Sequence, residues 1–312
     1  MLTFEFLAAG PGDACLIGWD GHTILVDGGP GVTYQKAIKG RVRRLDAICV
    51  THIDDDHIGG VLALLRDLRR EQDDQLASSM MVDRLWFNHS ADLVAPSAEA
   101  VHGASFAQGH ELRTLAMALG IEINAPFGGT VRLGRRATLH GLDVTVVAPA
   151  EVALAKLAAK WSKNDEKVAA AAVKDHSVPN LSSIALYLKH GTTTALLTGD
   201  ARGDHLLDGL TACGHDRLHV NVLKLPHHGS AKNVSADFFG RVTADHYVVS
   251  TDGSKHGHPD AEALRLLVAS RGADERYTVH LTHRVEAAER VLHDLRAGRS
   301  FEVAGPPVVI SV

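Results

Sequence analysis

Hydrophobic positions in the first half of the chain fall in short β-rich runs broken by turn residues. LTFEFLAAG comes first, then ACLIGWDGHTILVDGGPG, in which Asp20-Gly21 predicts a hairpin turn. LDAICVTH follows as a buried strand, and the period then changes. In IGGVLALLRDLRRE, Val61, Leu62, Leu64, Leu65 and Leu68 share one broad helical face, with arginines on the other. RLWFNH, TVRLG, ATLHG and DVTVVAP predict further strands, and HELRTLAMALG a helix. The second half repeats the alternation: SSIALYLKHG and TTTALLTGD as a hairpin, HLLDGLTACG as a helix, VNVLKLPHHGS as a strand running into a loop, DHYVVSTDG as a strand and AEALRLLVASRG as a helix. Interleaved strands and helices predict an α/β fold, and two halves of like order predict two αβ layers packed sheet to sheet, with the active site where strand ends meet. The halves run over about 1–149 and 179–312 of one domain spanning 1–312. Between them, EVALAKLAAKWSKNDEKVAAAAVKDHSVP, from about 150 to 178, is Ala- and Lys-rich and predicts one or two exposed connecting helices rather than a substrate lid. No repeat of roughly 20 to 50 residues suggests a solenoid.

Composition narrows this picture. The 312 residues are 45% hydrophobic and 22% charged, enough for a sizeable core. A net charge of -5 argues against a protein that coats nucleic acid through a basic face, but not against an enzyme that takes a phosphodiester into a metal-bearing cleft. Cys15, Cys49 and Cys213 show no CxxC spacing and read as buried small hydrophobes, which favours a cytoplasmic location. MLTFEFLAAG has no basic leader and no run of about 18 apolar residues occurs, so a soluble protein without a membrane partner is expected. No GxSxG is present, and GPGDAC and GGPGVT fail the GxGxxG test.

The chemistry concentrates between Thr51 and Gly60, THIDDDHIGG, where His52, Asp54, Asp56 and His57 place four potential metal ligands within six residues. They follow a hydrophobic strand and precede Gly59-Gly60 and a helix, a setting that lets side chains converge on one point. An acidic, solvated helix N-terminus would explain the aspartates alone, but not the two flanking histidines. Asp200 ends ALLTGD, and His227 and His228 follow VNVLKLP. A polar group at the end of an apolar strand wants a partner or a metal. Of the other histidines, His102, His110, His140, His190, His215 and His219 have no ligand-like sequence neighbours and read as surface or capping residues.

The order GDAxLI, LVDGG, THxDxDHxGG, LLTGD, LKxPHHGS and GHP resembles the metallo-β-lactamase superfamily, and specifically the hydrolase domain of ComEC-type competence proteins, from Gly12-Asp13-Ala14 to His258-Pro259. The resemblance implies an αββα sandwich of two mixed sheets and two divalent metal ions, zinc or manganese. His52 and Asp54 would hold the first ion, Asp56 and His57 the second, and Asp200 would bridge. His227 would complete the second site, with His228 as the alternative. Asp13 and Asp27, in the GDA and VDGG elements, would support the site or hold loops. Two departures from the commoner pattern matter. Asp54 stands where HxHxDH has its second histidine, and this harder donor makes manganese a rival to zinc. The third-motif histidine is not evident; His89, closing RLWFNH, reads equally as a ligand or a strand-end residue.

The function this implies is hydrolysis of a phosphodiester in DNA or RNA by a two-metal-activated hydroxide. Asp56, Lys224, His228 and His258 are the groups expected to act on the substrate, with Ser230 on the same loops. His258 is expected to protonate the leaving group or bind phosphate. A lactone, amide or thioester hydrolase is the alternative, and a non-catalytic binding module is disfavoured by the intact ligand set. The competence proteins' membrane channel has no counterpart in this chain, so a role in DNA uptake is not implied.

Overall fold

The computed structural model describes residues 1–89, 104–161, 180 and 182–312. Most of the expected 150–178 connector lies outside the described residues, apart from its opening helix, Glu151–Trp161.

The first sheet is built from β1 (Leu2–Phe6), β2 (Ala14–Trp19), β3 (His22–Gly28), β5 (Ala47–Cys49), β7 (Arg84–Trp86), β8 (Glu122–Ile123) and β17 (Val308–Ser311). Its order is β17-β1-β2-β3-β5-β7-β8, antiparallel as far as β3 and parallel from there on. The predicted hairpin joins β2 to β3, with Asp20 and Gly21 at φ 44° and 85°, the left-handed pair that a two-residue turn needs. Short β4 (Arg44–Leu45) and β6 (Met81–Val82) pair beside it.

The second sheet runs β16-β15-β14-β13-β12-β11-β10-β9. Its strands are β9 (Arg136–Leu139), β10 (Leu142–Ala148), β11 (Ala185–His190), β12 (Thr193–Leu197), β13 (Leu218–Lys224), β14 (Val242–Val249), β15 (Thr278–Leu281) and β16 (Glu302–Ala304). It too is antiparallel at first, through β12, and parallel beyond. Both sheets are therefore mixed, but they do not follow the expected halves: β9 and β10, from the first half, pair into the second sheet, and β17, from the second half, pairs into the first.

Alternation decides which layer each side chain joins. Phe4, Ile17, Ile24, Val26 and Cys49 from the first sheet meet Val144, Leu186, Leu188, Leu197, Val222 and Val248 from the second in one buried layer. The opposite face of the first sheet, including Leu25, Ile48 and Leu85, packs on α2 (Asp55–Asp73) and α3 (Ala104–Ala118) through Val61, Leu64, Leu65, Leu112 and Ala116. After α1 (Gly31–Thr33) and α4 (Glu151–Trp161), the remaining α-helices among the described residues are α5 (Gly203–Ala212), α6 (Ala236–Arg241), α7 (Ala261–Ala269) and α8 (Glu286–Leu295). They cover the outer face of the second sheet with Leu206, Phe238, Leu264 and Leu292. The result is an αββα sandwich.

TVRLG is a correction, because it forms a loop and not a strand. Asn88 replaces the ladder partner: its Oδ1 accepts from the Val131 N–H and its Nδ2 donates to the Val131 carbonyl, each at 2.8 Å. Among the described residues no helix is long and apolar enough to cross a membrane.

Candidate metal centre

β5 carries the chain to His52, and α2 begins three residues later, inside the motif. Asp54 is the N-cap of α2, yet its side chain makes no capping hydrogen bond, the ordinary role of aspartate there. Its Oδ2 stands 3.8 Å from His52 Nε2 instead. Asp56 and His57 occupy the first helical turn. A Cβ on Gly60 would fall 1.9 Å from the Gly28 carbonyl oxygen, so only glycine lets α2 seat against the end of β3. Gly12 does the same beside Asp56, with 1.9 Å to its carbonyl oxygen, and the Asp13 N–H then bonds that oxygen at 3.1 Å.

The second sheet brings Asp200 just past β12, where its N–H donates to Ser183 Oγ at 3.0 Å. Past β13, His227 and His228 adopt φ 46° and 56°. Left-handed backbone costs a non-glycine residue about 1–3 kcal/mol and persists only where the surroundings impose it. Here the His227 N–H is tied to the Gly199 carbonyl at 3.1 Å and the Ser230 N–H to the His227 carbonyl at 2.9 Å.

These segments converge on the Asp200 carboxylate. Its Oδ2 lies 3.7 Å from His52 Nε2, 3.5 Å from His227 Nε2 and 3.7 Å from His228 Nε2, and its Oδ1 lies 3.5 Å from His57 Nε2. Asp56 Oδ2 is 3.8 Å from His228 Nε2. His52 Nε2, His57 Nε2, His228 Nε2 and Asp200 Oδ1 are buried without a hydrogen-bond partner. Such orphaned atoms are costly unless something else satisfies them. Two donors each about 2.1 Å from one tetrahedral ion stand about 3.4 Å apart, so separations of 3.5–3.8 Å are long for hydrogen bonds and right for shared coordination. The donor set fits divalent metal.

The far nitrogens are held as a metal ligand's should be. His57 Nδ1 bonds Asp27 Oδ2 at 2.8 Å, and Asp27 also accepts the Thr51 N–H and hydroxyl, each at 2.8 Å. His228 Nδ1 donates to the Ser250 carbonyl at 2.8 Å, with Asp13 Oδ1 at 3.2 Å. Asp13 groups with His57, Asp200 and His228 as a set able to hold an ion. Its Oδ2, however, is paired to Lys224 Nζ, which makes it a brace.

Burial would raise the Asp200 pKa, but the imidazoles of His228, His57, His227 and His52 hold it well below the usual carboxylate range. Burial would lower His57, yet Asp200 and Asp27 push it up to about 10, so an ion must displace that proton. Burial and the neighbouring His57 bring His52 down to about 3, leaving it neutral and ready to coordinate. Burial, with Asp56 and Asp200 adding repulsion, raises Asp54 to about 6. A cation between these carboxylates relieves that repulsion.

The metallo-β-lactamase superfamily profile matches residues 7–253. The chain belongs to that superfamily. Similar solved structures include the metallo-β-lactamase fold protein YhfI of Bacillus subtilis, at 13% identity and TM-score 0.48 over 100% of both chains. The diiron β-hydroxylase CmlA of Streptomyces venezuelae is 12% identical with TM-score 0.50, over 100% of this chain and 54% of that one. The short form of human tRNase Z is 13% identical with TM-score 0.43, over 99% of each. At these identities the likeness shows the fold alone. No curated protein matches the chain.

Within this superfamily fold the predicted residues separate. His52, Asp54, Asp56, His57, Asp200, His227 and His228 are brought together. His227 and His228 both approach Asp200 Oδ2, as His52 does, and His228 also lies near Asp56 and the His57 ring. His89 is buried, with the rings of Phe87 and His110 as neighbours, and burial and Arg113 bring it down to about 4. Lys224 does not face a substrate: it is buried, paired with Asp13 and donating to the Gly199 carbonyl at 3.0 Å. Ser230 is also buried. His258 is buried, its ring 5.4 Å from that of His227, and burial lowers its pKa. Sequence reasoning missed Lys255, whose Nζ lies 2.9 Å from Asp56 Oδ1. Its only local signal was its place in KHGHP.

Proposed function

We propose that the chain is a metal-dependent phosphodiesterase or nuclease of the competence-protein branch, with two divalent ions at the Asp200 carboxylate. His52, Asp54 and His227 would hold the first, and Asp56, His57 and His228 the second, with Asp200 shared. The observation that carries this reading is the set of buried atoms without partners, His52 Nε2, His57 Nε2, His228 Nε2 and Asp200 Oδ1, all directed to one place. Such ions, when bound, polarise a phosphoryl oxygen and bring the pKa of water to about 7.

The protein's own groups do the rest. Asp27 fixes the His57 ring, and Ser250 and Asp13 fix His228. Lys224 offsets charge beneath Asp13 and Asp200, 3.8 Å from Asp200 Oδ1. His258, beside His227, would donate a hydrogen bond to a phosphate oxygen. Asp54 in place of the commoner histidine favours hard cations, so manganese competes with zinc.

The test is metal content and hydrolysis of single- and double-stranded DNA and RNA by the pure protein with manganese or zinc, against a lactone as control. Nucleic acid cleavage supports the reading. Lactone cleavage alone replaces it with the carbonyl-hydrolase alternative, and binding of less than one ion per chain overturns the metal centre itself.

A further inference from the structure

A cleft of about 650 Å³ opens beside Asp56, walled by the β1–β2 loop (Ala8, Ala9, Pro11), the segment around α1 (Pro30, Val32) and the loop that carries Asp252 and Lys255. That volume is in the range of pockets that bury a drug-sized organic group, far more than one phosphate fills. Lys36 and Lys255 are the ammonium groups lining it among the described residues. His283 also lines it, but its Nε2 accepts the Gly10 N–H at 3.2 Å and its Nδ1 lies 3.0 Å from Thr282 Oγ1, so both ring nitrogens are engaged. The buried Lys224 lies outside the cleft and is committed to Asp13.

Lys255 differs from both. Its side chain is 44% exposed, yet its Nζ reaches Asp56 Oδ1 at 2.9 Å, so one ammonium joins the open cleft to the candidate metal centre. Its loop is braced: the Asp252 N–H bonds the Gly10 carbonyl at 2.8 Å, and Asp252 Oδ1 accepts from the Ser254 N–H at 2.8 Å and the Ser254 hydroxyl at 2.6 Å. An ion that draws on the Asp56 charge weakens the hold of Asp56 on this ammonium, which then needs another anion within reach.

Resting on the phosphodiester reading, we infer that Lys255 is a substrate-binding residue that pairs with a non-bridging phosphate oxygen, while the adjoining cleft receives one organic arm of the diester. Lys36, exposed on the other wall, contributes weak attraction only.

The test uses the metal-loaded protein and its Lys255→Met, Lys255→Arg and Lys36→Met variants, with inorganic phosphate titrated by calorimetry and bis(p-nitrophenyl) phosphate as substrate. Lys255→Met should weaken phosphate binding and raise KM by about tenfold or more, as expected for loss of a charged hydrogen bond, with kcat changing less and metal content as in the wild type. Lys255→Arg should recover most of this, and Lys36→Met should change KM by less than about threefold. Unchanged phosphate binding in Lys255→Met overturns the inference. So does loss of metal together with phosphate, which would make Lys255 a support for Asp56. If the wild type cleaves lactones and no phosphodiester, the proposed function fails, and the phosphate titration still decides the role of Lys255.

Discussion

At one end of β3, His22 and His140 share the Asp46 carboxylate; at the other, six residue steps or about 20 Å along the strand, His57 lies between Asp27 and Asp200. Both clusters combine histidine with buried aspartate, and both offer enough donors for an ion. Their geometry differs. In the first, His22 Nδ1 is 3.0 Å and His140 Nε2 3.3 Å from the same Asp46 oxygen, while the other oxygen accepts the Thr23 N–H at 2.9 Å. The two rings are stacked at 3.8 Å and 3°, and parallel rings cannot both aim an in-plane lone pair at one ion. That cluster satisfies itself. In the second, the rings of His52 and His57 are tilted by 49°, and nitrogens and carboxylate stand apart with no partner of their own. Residue type is common to the two; unsatisfied, converging lone pairs mark only one as a metal centre.

The sharpest way to break this contrast is Asp200→Ala against His140→Ala. Asp200→Ala should lose bound metal and reduce hydrolysis by more than about 100-fold, and added metal should no longer raise its melting temperature. His140→Ala should keep metal content and activity. Metal loss in both, measured by elemental analysis, would erase the distinction. Next in size is Asp27→Asn, which keeps the shape but removes the charge behind His57 Nδ1. Its metal affinity should fall by about 10- to 100-fold in chelator competition.

Asp46→Ala should act on stability alone. It leaves the Thr23 N–H unpaired and removes the acceptor shared by the two imidazoles, costing about 1–3 kcal/mol in urea denaturation with turnover of the folded enzyme unchanged. The smallest effect concerns a third histidine pair, which has no carboxylate between its rings. His246 Nδ1 and His280 Nε2 are 3.1 Å apart on neighbouring parallel strands, and burial with the neighbouring His246 brings His280 down to about 4. Between pH 4 and the unfolded value of about 6.5, the unfolded chain binds more protons at this position. The stability tied to neutral His280 is therefore present above about pH 6.5 and lost as pH falls toward 4. Denaturation midpoints at pH 7.5 and 5 should differ less in His280→Gln than in the wild type.

Much of the site was legible because its signal is local. THIDDDHIGG puts two histidines and their aspartates at a strand-to-helix junction, and LLTGD and LKLPHHGS place their polar groups just past apolar strands. Positions that depend on packing were not. His140 reads as an isolated surface histidine until β9 and β10 bring it onto Asp46. Lys224 reads as substrate-facing, because nothing within its own strand announces that Asp13, more than 200 residues away, is its partner. The loop at TVRLG has the composition of a strand and fails to become one because Asn88 takes its hydrogen bonds.

By itself the sequence determined the alternation of strands and helices, the hairpin at Asp20-Gly21 and the segments whose polar side chains converge. Each follows from side-chain periodicity or turn chemistry within a few residues. Tertiary structure alone decided the rest. It returned β17 to pair with β1, brought both His227 and His228 to Asp200, buried Lys224 and brought Lys255 to Asp56. Those outcomes depend on which sheet faces which and on electrostatic partners drawn from distant segments, and no local pattern encodes a distance between them.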